Sequence, residues 1–302
     1  MKNKHPLSGT GVAIITPFNK DGSVDLPALK KLVNHQKEGN TDVLVVLGTT
    51  GETATLSEQE KEQVINTVIA ENAGHCRIVL GVGGNNTAAL VHQLENFKYA
   101  GVDGILSVSP YYNKPTQEGI FQHYKALSNA SPLPIILYNV PGRTGSNMLA
   151  STTLRIAKEC KNVVGIKEAS GNMEQVMDIL NHRHPDFLVL SGDDPLTLPM
   201  LACGGDGVIS VTANAFPRLC SQMVNAFSAG DYATAREIHF KLLEITKLFF
   251  VDGNPVGIKY ALKLLNICEE FVRLPLVGVR EETKGAIENE LNKLRPYRLS
   301  RN

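Results

Sequence analysis

The chain has 302 residues, with 30 lysine and arginine residues against 30 aspartate and glutamate residues, and 43% of its residues are hydrophobic. A chain without net charge does not attract polyanions, so we expect no nucleic-acid partner. The length fits one large α/β barrel with a further segment as well as it fits two ordinary domains.

Neither a membrane segment nor a metal centre is indicated. The amino terminus, MKNKHPLSG, has two lysines but no apolar run behind them. No stretch reaches the ~18 apolar residues of a membrane span, so we expect a cytoplasmic location. The five cysteines are widely spaced and odd in number, which fits neither a disulfide framework nor a zinc site, and we expect no metal.

Eight short runs rich in valine, isoleucine and leucine predict buried strands. They lie at 11–16, 43–47, 77–82, 104–109, 134–138, 163–167, 187–190 and 208–211. Segments with a 3.6-residue apolar period separate them, so the chain reads as repeated βα units with right-handed crossovers and a parallel sheet. We predict a closed (β/α)₈ barrel, with an open doubly wound sheet as the alternative.

From about Pro217 the strand runs stop and helical patterns take over. We predict a catalytic barrel domain over 1–216 and a carboxy-terminal helical extension over 217–302. About three helices of this extension follow the last helix of the barrel.

Catalytic residues of such barrels lie at the carboxyl ends of strands, so these ends are the first place to look. The second strand ends in GTTGE, where Thr49 and Thr50 stand between two glycines. Backbone N–H groups and hydroxyls of such a loop can bind a small carboxylate, although an ordinary glycine-rich turn has the same composition. The fourth strand leads into SPYYNKP, in which Tyr112 is an acid/base candidate or simply a packed aromatic residue.

The fifth and sixth strands end in the most informative residues. Tyr138 at the end of the fifth strand could move a proton, and Arg143 beyond it offers a fork for a carboxylate. Lys167 ends the sixth strand inside VVGIKEASG, where a buried ammonium is costly unless it is paired. A deprotonated lysine there could form a Schiff base. The alternative is a surface pair with Glu168, but neighbouring strand residues face opposite sides.

Two adjacent aspartates after the seventh strand give a weaker signal. Asp193 and Asp194 could hold a divalent metal, but Asp194 followed by Pro195 is typical of a helix cap and first turn, which we favour.

The strand-end motifs together resemble the class I aldolase family that includes dihydrodipicolinate synthase and N-acetylneuraminate lyase. The resemblance spans about 11–274 through GTTGE, SPYYNKP, YNVPGRTG, GIKEASGN, SGDD and GVISVTAN, in the order of the family. It implies a (β/α)₈ barrel, a homotetramer built as a dimer of dimers, and 2-keto acid chemistry through a lysine imine.

The resemblance also implies roles for individual residues. Lys167 would form the imine with pyruvate, and Tyr138 would be the acid/base group. Thr49 would connect Tyr138 to Tyr112 of a neighbouring subunit in a proton relay. Further residues would bind the pyruvate: Thr50, Gly192 and the backbone of Ile209.

Arg143 distinguishes the subfamilies. The P-x-R-T-G form is similar to that of the synthases, in which the arginine binds the carboxylate of L-aspartate 4-semialdehyde. The implied product is 4-hydroxy-tetrahydrodipicolinate, in the diaminopimelate route to lysine, with no cofactor because the protonated imine serves as electron sink. The alternative is a related lyase acting on a hydroxylated 2-keto acid such as N-acetylneuraminate or 2-keto-3-deoxy-gluconate.

One part of the family pattern is not kept. Many members are inhibited by lysine at a subunit interface, and Asn85 and Tyr111 match that pattern. A glutamate of the pattern is replaced by Ala89, which removes the partner of the ligand's ammonium, and Lys61 adds a like charge. We predict weak or absent inhibition by lysine.

Overall fold

Eight parallel strands form the centre of the protein. The computed structural model describes residues 5–98 and 100–294, and within these residues the strands close into a barrel in sequence order. The predicted (β/α)₈ barrel is confirmed. The strands are β1 Gly9–Ala13, β2 Val43–Val46, β3 Arg77–Gly81, β4 Gly104–Val108, β5 Ile135–Asn139, β6 Val163–Glu168, β7 Leu188–Ser191 and β8 Gly207–Ser210.

Helices alternate with the strands and then continue after the last one. They are α1 Leu26–Glu38, α2 Glu58–Asn72, α3 Thr87–Glu95, α4 Gln117–Ala130, α5 Pro141–Thr144, α6 Ala150–Glu159, α7 Met173–His182, α8 Thr197–Ala202, α9 Pro217–Ser228, α10 Tyr232–Val251, α11 Val256–Leu264 and α12 Glu281–Lys293. Helices α10 to α12 lie where the sequence predicts the extension, while the boundary at residue 216 stays a prediction. None of the described helices has both the length and the hydropathy needed to cross a membrane.

The first strand ends earlier than predicted. Its apolar run continues to Thr16, but β1 ends at Ala13. Beyond that point the Ile15 N–H donates to Asn214 Oδ1 at 3.1 Å, and Thr16 Oγ1 donates to the Gly51 carbonyl at 2.7 Å. Hydrophobicity indicates burial, whereas the hydrogen-bond partner decides where the strand ends.

Side chains cap some helices and leave others uncapped. At the start of α2 a capping box is present, in which Ser57 and Glu60 each bind the other's backbone N–H. The predicted cap at Asp194 is wrong. A 3₁₀ turn begins at Asp194, its N-cap residue is Asp193, and no side chain caps it. The turn merges into α8 at Thr197, so Asp194 is already inside the first turn.

By its internal contacts the chain divides into two compact units. The first unit contains Arg77–Ile209 and the described residues before Gly9; the second unit contains Gly9–Cys76 and the described residues from Ser210 onward. In the first unit β3 to β8 pair in register, and in the second β1 pairs with β2. The strand residues are almost all buried, as a two-sided core requires.

Candidate active site

An amine and an aromatic ring meet at the carboxyl ends of β5 and β6 in the first unit. Tyr138 and Lys167 are register partners, so both side chains leave the same face of the sheet. The Lys167 Nζ lies 4.2 Å from the centroid of the Tyr138 ring. The two residues are 7% and 5% exposed. The arrangement places a buried amine beside a phenol at the strand ends.

Gly192 leaves the space that the Lys167 arm occupies. A Cβ at this position would lie 3.0 Å from both Cγ and Cε of Lys167 and 2.7 Å from the Ala169 Cβ. The Gly192 N–H donates to the Glu168 carbonyl at 2.8 Å, which fixes the start of the loop after β7. Ile209 is buried on β8, one residue beyond the register partner of Ser191. Gly192 therefore directly follows β7 and lies against the side-chain carbons of Lys167, while Ile209 lies near the end of β8.

Glu168 does not pair with Lys167. Its carboxylate is buried and accepts hydrogen bonds from Asn139 Nδ2 at 3.0 Å, Gln175 Nε2 at 3.0 Å and the Ser170 N–H at 2.7 Å. The alternation of strand side chains puts this cluster on the side of β6 opposite to the amine. The surface ion pair considered from sequence is thus absent, and the Lys167 amine is left to other chemistry.

The same cluster holds the loop that carries Arg143. Asn139 directly follows Tyr138, accepts from the Met148 N–H at 3.0 Å and donates to Asn147 Oδ1 at 2.8 Å. These bonds close the loop that contains α5, and Arg143 lies in the last turn of that helix with an exposed side chain. Within the described residues no hydrogen bond or ion pair engages its guanidinium. The group is open to a carboxylate ligand, to which arginine can bind through two parallel bonds.

Tyr112 projects from the loop between β4 and α4. Its side chain is 88% exposed, and its φ of +71° is a left-handed conformation that a residue with a Cβ adopts at a cost of about 1–2 kcal/mol. An aromatic ring held outward at the expense of backbone strain indicates a functional or interface role.

The two threonines of GTTGE lie in the second unit. Thr49, Thr50 and Gly51 form a 3₁₀ turn, closed by the Gly51 N–H to the Gly48 carbonyl at 2.9 Å. Thr49 is exposed and Thr50 is buried. Asn254, in the segment between α10 and α11, donates from Nδ2 to the Thr50 Oγ1 at 2.9 Å.

A buried ion pair follows this turn. Glu52 is paired with the ammonium of Lys259, with side chains 2% and 0% exposed, and its other oxygen accepts from the Arg273 N–H at 3.0 Å. The Lys259 ammonium also donates to the Phe271 carbonyl at 2.8 Å and lies 4.0 Å from the Phe18 ring centroid. The pair fastens the turn to α11.

Sequence reasoning missed Asn254, Lys259 and the role of Glu52. A signal exists for Lys259, because it is the only charge in the apolar stretch VGIKYAL, where a lysine needs a partner. Nothing local marks Asn254.

The aspartates after β7 form no metal centre that the structure reveals. Burial, together with neighbouring Asp194, raises the pKa of Asp193. Within the described residues no group of three histidine, cysteine, aspartate or glutamate side chains is arranged to hold a metal ion.

The positions of the lysine-inhibition pattern, both those that match it and those that depart from it, make hydrogen bonds or an ion pair with nearby residues. Asn85 Nδ2 donates to the Tyr111 carbonyl at 3.2 Å, and the Ala89 N–H donates to the N-cap side chain of Asn86 at 3.1 Å. In the second unit the Lys61 ammonium pairs with Glu58 at 2.7 Å.

Comparison with known proteins places these features in a family. The model of the dihydrodipicolinate synthetase family matches residues 6–294. The 4-hydroxy-tetrahydrodipicolinate synthase of Parabacteroides distasonis is 54% identical over 288 residues, 95% of this chain and 97% of that protein.

Solved structures of dihydrodipicolinate synthases resemble this chain along nearly its whole length. The dihydrodipicolinate synthase of Thermotoga maritima superimposes with a TM-score of 0.93 at 41% identity, over 96% of this chain and 99% of that one. The chloride-inhibited dihydrodipicolinate synthase of Acinetobacter baumannii, complexed with pyruvate, gives 0.91 at 40% identity, over 95% and 98%.

The chain belongs to the dihydrodipicolinate synthetase family of class I aldolase-type barrels. The expected activity, that of a 4-hydroxy-tetrahydrodipicolinate synthase, a lyase of lysine and diaminopimelate biosynthesis, is confirmed. The alternative lyase acting on a hydroxylated 2-keto acid is not favoured.

Proposed function

We propose that Lys167 carries the reaction as an imine with pyruvate. Its amine attacks the keto carbon and water leaves; loss of a methyl proton then gives an enamine, whose carbon attacks the aldehyde of L-aspartate 4-semialdehyde. The amino group of the adduct closes on the imine carbon and releases Lys167. The observation that carries this proposal is the buried amine beside Tyr138, with Gly192 leaving room for its arm.

The other residues divide between proton transfer and binding. Tyr138 moves protons, joined in a relay by Thr49 and by Tyr112 of a neighbouring subunit. Thr50 and the strand-end positions Gly192 and Ile209 bind the pyruvate. Arg143 binds the carboxylate of the aldehyde, for which its open guanidinium is suited. No cofactor or metal takes part, because the protonated imine withdraws the electrons.

Borohydride trapping tests the imine directly. Hydride added to the imine carbon leaves a stable secondary amine, so protein incubated with pyruvate gains a mass adduct on Lys167. A variant with Lys167→Ala gives none, whereas one with Lys158→Ala, an exposed lysine of α6, traps like the wild type. If Lys167 of the wild type stays unmodified after this treatment, the proposal is wrong.

Arg143→Ala tests the second substrate. We expect turnover of L-aspartate 4-semialdehyde to fall at least ~10-fold, because a charge-assisted contact is worth about 1.5–3 kcal/mol. Pyruvate trapping should be unchanged, since Arg143 does not hold pyruvate. Equal losses in both measurements would contradict its assigned role.

We propose a cytoplasmic homotetramer, built as a dimer of dimers in which Tyr112 completes the relay of a neighbour. The support is the exposed, strained Tyr112. Proteins with Tyr112→Phe and with Lys167→Ala should each be nearly inactive. When the two exchange subunits, some sites combine an intact Lys167 with an intact Tyr112 of the neighbouring subunit. Activity that returns on mixing supports the contribution of Tyr112 to a neighbouring subunit's site. A mixture that stays inactive, although sedimentation shows mixed oligomers, contradicts it.

Inhibition by lysine should be weak or absent. Ala89 offers no carboxylate to a bound ammonium, and Lys61 adds positive charge. The check is a lysine titration of the condensation rate, and half-inhibition at sub-millimolar lysine would refute the expectation.

A further inference from the structure

The side chain of Asn254, in the helical extension, donates a hydrogen bond to the hydroxyl of Thr50. The two residues are 204 positions apart, and the Nδ2 to Oγ1 distance is 2.9 Å. Asn254 is 8% exposed and Thr50 is 3% exposed, so the bond is shielded from water.

The direction of this bond determines what the hydroxyl can still do. A threonine hydroxyl has one proton to donate and two lone pairs with which to accept. The Asn254 amide uses a lone pair of Oγ1 and leaves the proton unused. Within the described residues the Thr50 hydroxyl makes no other hydrogen bond, so the proton is available to a ligand oxygen.

The other end of the Asn254 amide is unsatisfied. Its Oδ1 is buried and has no hydrogen-bond partner within the described residues. A buried acceptor without a donor lowers stability, so a fold that kept Asn254 for stability alone would satisfy both ends. Within the described residues the hydrogen bond to Thr50 is thus the one that the amide side chain of Asn254 makes.

The segment that carries Asn254 is held firmly. The Val256 N–H donates to the Gly253 carbonyl at 2.9 Å. A Cβ on Gly257 would lie 2.7 Å from the Phe249 Cα, so the first turn of α11 packs directly on α10. Asp252, on the other side, is bonded by the backbone N–H of Arg280 at 3.1 Å. Asn254 therefore approaches Thr50 from a fixed position.

We propose that Asn254 is a positioning residue for the carboxylate of the 2-keto acid. By donating to the Thr50 Oγ1, it fixes the hydroxyl so that its proton points to a carboxylate oxygen. A hydroxyl that accepts one hydrogen bond also donates more strongly, because successive bonds polarise each other. This inference rests on the proposed role of Thr50 in binding pyruvate.

Substitutions at Asn254 test the direction of the bond. In Asn254→Asp the side chain keeps its shape, but a carboxylate can only accept, so it captures the Thr50 proton and repels the substrate. In Asn254→Ala the hydroxyl is left free to rotate. We expect the KM for pyruvate to rise about 10-fold or more in Asn254→Asp and less in Asn254→Ala. The KM for L-aspartate 4-semialdehyde should change by less than about twofold, a split that a general structural defect would not produce.

A double-mutant cycle with Thr50→Val shows whether Asn254 acts through Thr50. Adding Asn254→Ala to Thr50→Val should cause little further loss, because the hydroxyl it orients is already gone. As a control, Asn34→Ala removes an amide that donates to Glu71 Oε1 at 2.6 Å in the same unit, and it should leave the KM for pyruvate unchanged.

The outcomes separate this inference from the proposed function. If the wild type forms no trapped adduct with pyruvate, the proposed function falls and the inference falls with it. If the wild type is trapped but Asn254→Asp keeps the wild-type KM for pyruvate, or if the losses in the cycle multiply, the positioning role alone is overturned. Asn254→Asp changes a single non-hydrogen atom of the side chain, and thermal unfolding should show whether each of the compared proteins is folded.

Discussion

Two buried glutamates end the motifs GTTGE and GIKE, and the fold satisfies their charges in opposite ways. Glu52 of the second unit is paired with the ammonium of Lys259. Glu168 of the first unit is surrounded by the amides of Asn139 and Gln175 and a backbone N–H. A buried carboxylate needs either a counter-charge or several donors. Amides meet this need without a cation, so Glu168 brings no further positive charge to the strand that carries Lys167, where such a charge would oppose the protonated imine that we propose.

The largest effect is expected from breaking the charged pair. Lys259→Met leaves the Glu52 carboxylate buried without its counter-charge and should lower the free energy of unfolding by about 3–5 kcal/mol. Urea unfolding measures this change. A loss below about 1 kcal/mol would mean that water reaches Glu52 and that the pair is not buried in solution.

Lys263→Met is the matched control on the same helix. Its partner is Glu270, and the two side chains are 41% and 20% exposed. Because water screens such a pair, its loss should cost no more than about 1 kcal/mol. The double variant Glu52→Gln with Lys259→Met should recover much of the loss, since no unpaired charge remains.

The buried histidine His123 should make the stability of the protein depend on pH. Burial lowers the pKa of this histidine to about 4. Its Nδ1 shares a hydrogen bond with the Thr87 hydroxyl. Between pH ~6.5 and ~4 the unfolded chain binds a proton that the folded chain does not. Stability is therefore present above pH ~6.5 and is lost as the pH falls through this window, by up to about 3 kcal/mol. His123→Gln should flatten unfolding free energy against pH there, and an unchanged slope would contradict the assignment.

A smaller effect is expected when the amide cluster is disturbed. Glu168→Gln turns one acceptor oxygen into a donor that faces the donors of Asn139 and Gln175, which should cost about 1–3 kcal/mol. Glu174→Gln, an exposed position on α7, is the control and should stay within about 0.5 kcal/mol of the wild type. Calorimetric unfolding compares the two. Equal effects would show that the cluster does not depend on the carboxylate.

The smallest effect comes from a partly exposed charged pair. Hydrogen bonds from Arg273 lower the pKa of Glu60 to about 2. Its pKa is depressed in the fold, so the stabilisation is present above pH ~4.5 and is lost as the pH falls towards ~2. About 24% of the side chain remains in water, so the contribution is about 1 kcal/mol. Glu60→Gln should flatten only this lower window; a change of slope above pH 5 would contradict it.

The barrel and the residues at its strand ends can be predicted from local sequence patterns. Apolar runs and helical periods are local properties, and a (β/α)₈ barrel brings every strand end to one rim, so the positions of Lys167 and Tyr138 follow from where their strands end. The strained backbone of Tyr112 could not be read in this way, because the sequence around it permits several loop conformations.

Contacts between side chains that are far apart in the sequence become visible in the folded protein alone. Glu52 lies 207 positions from Lys259, and Thr50 lies 204 positions from Asn254. No local pattern links such pairs, because their contact arises from the packing of α10 and α11 and not from the preferences of either segment. The same reason explains the error at Asp194: an Asp-Pro pair permits a cap, but the chain enters a 3₁₀ turn one residue earlier than the cap would require.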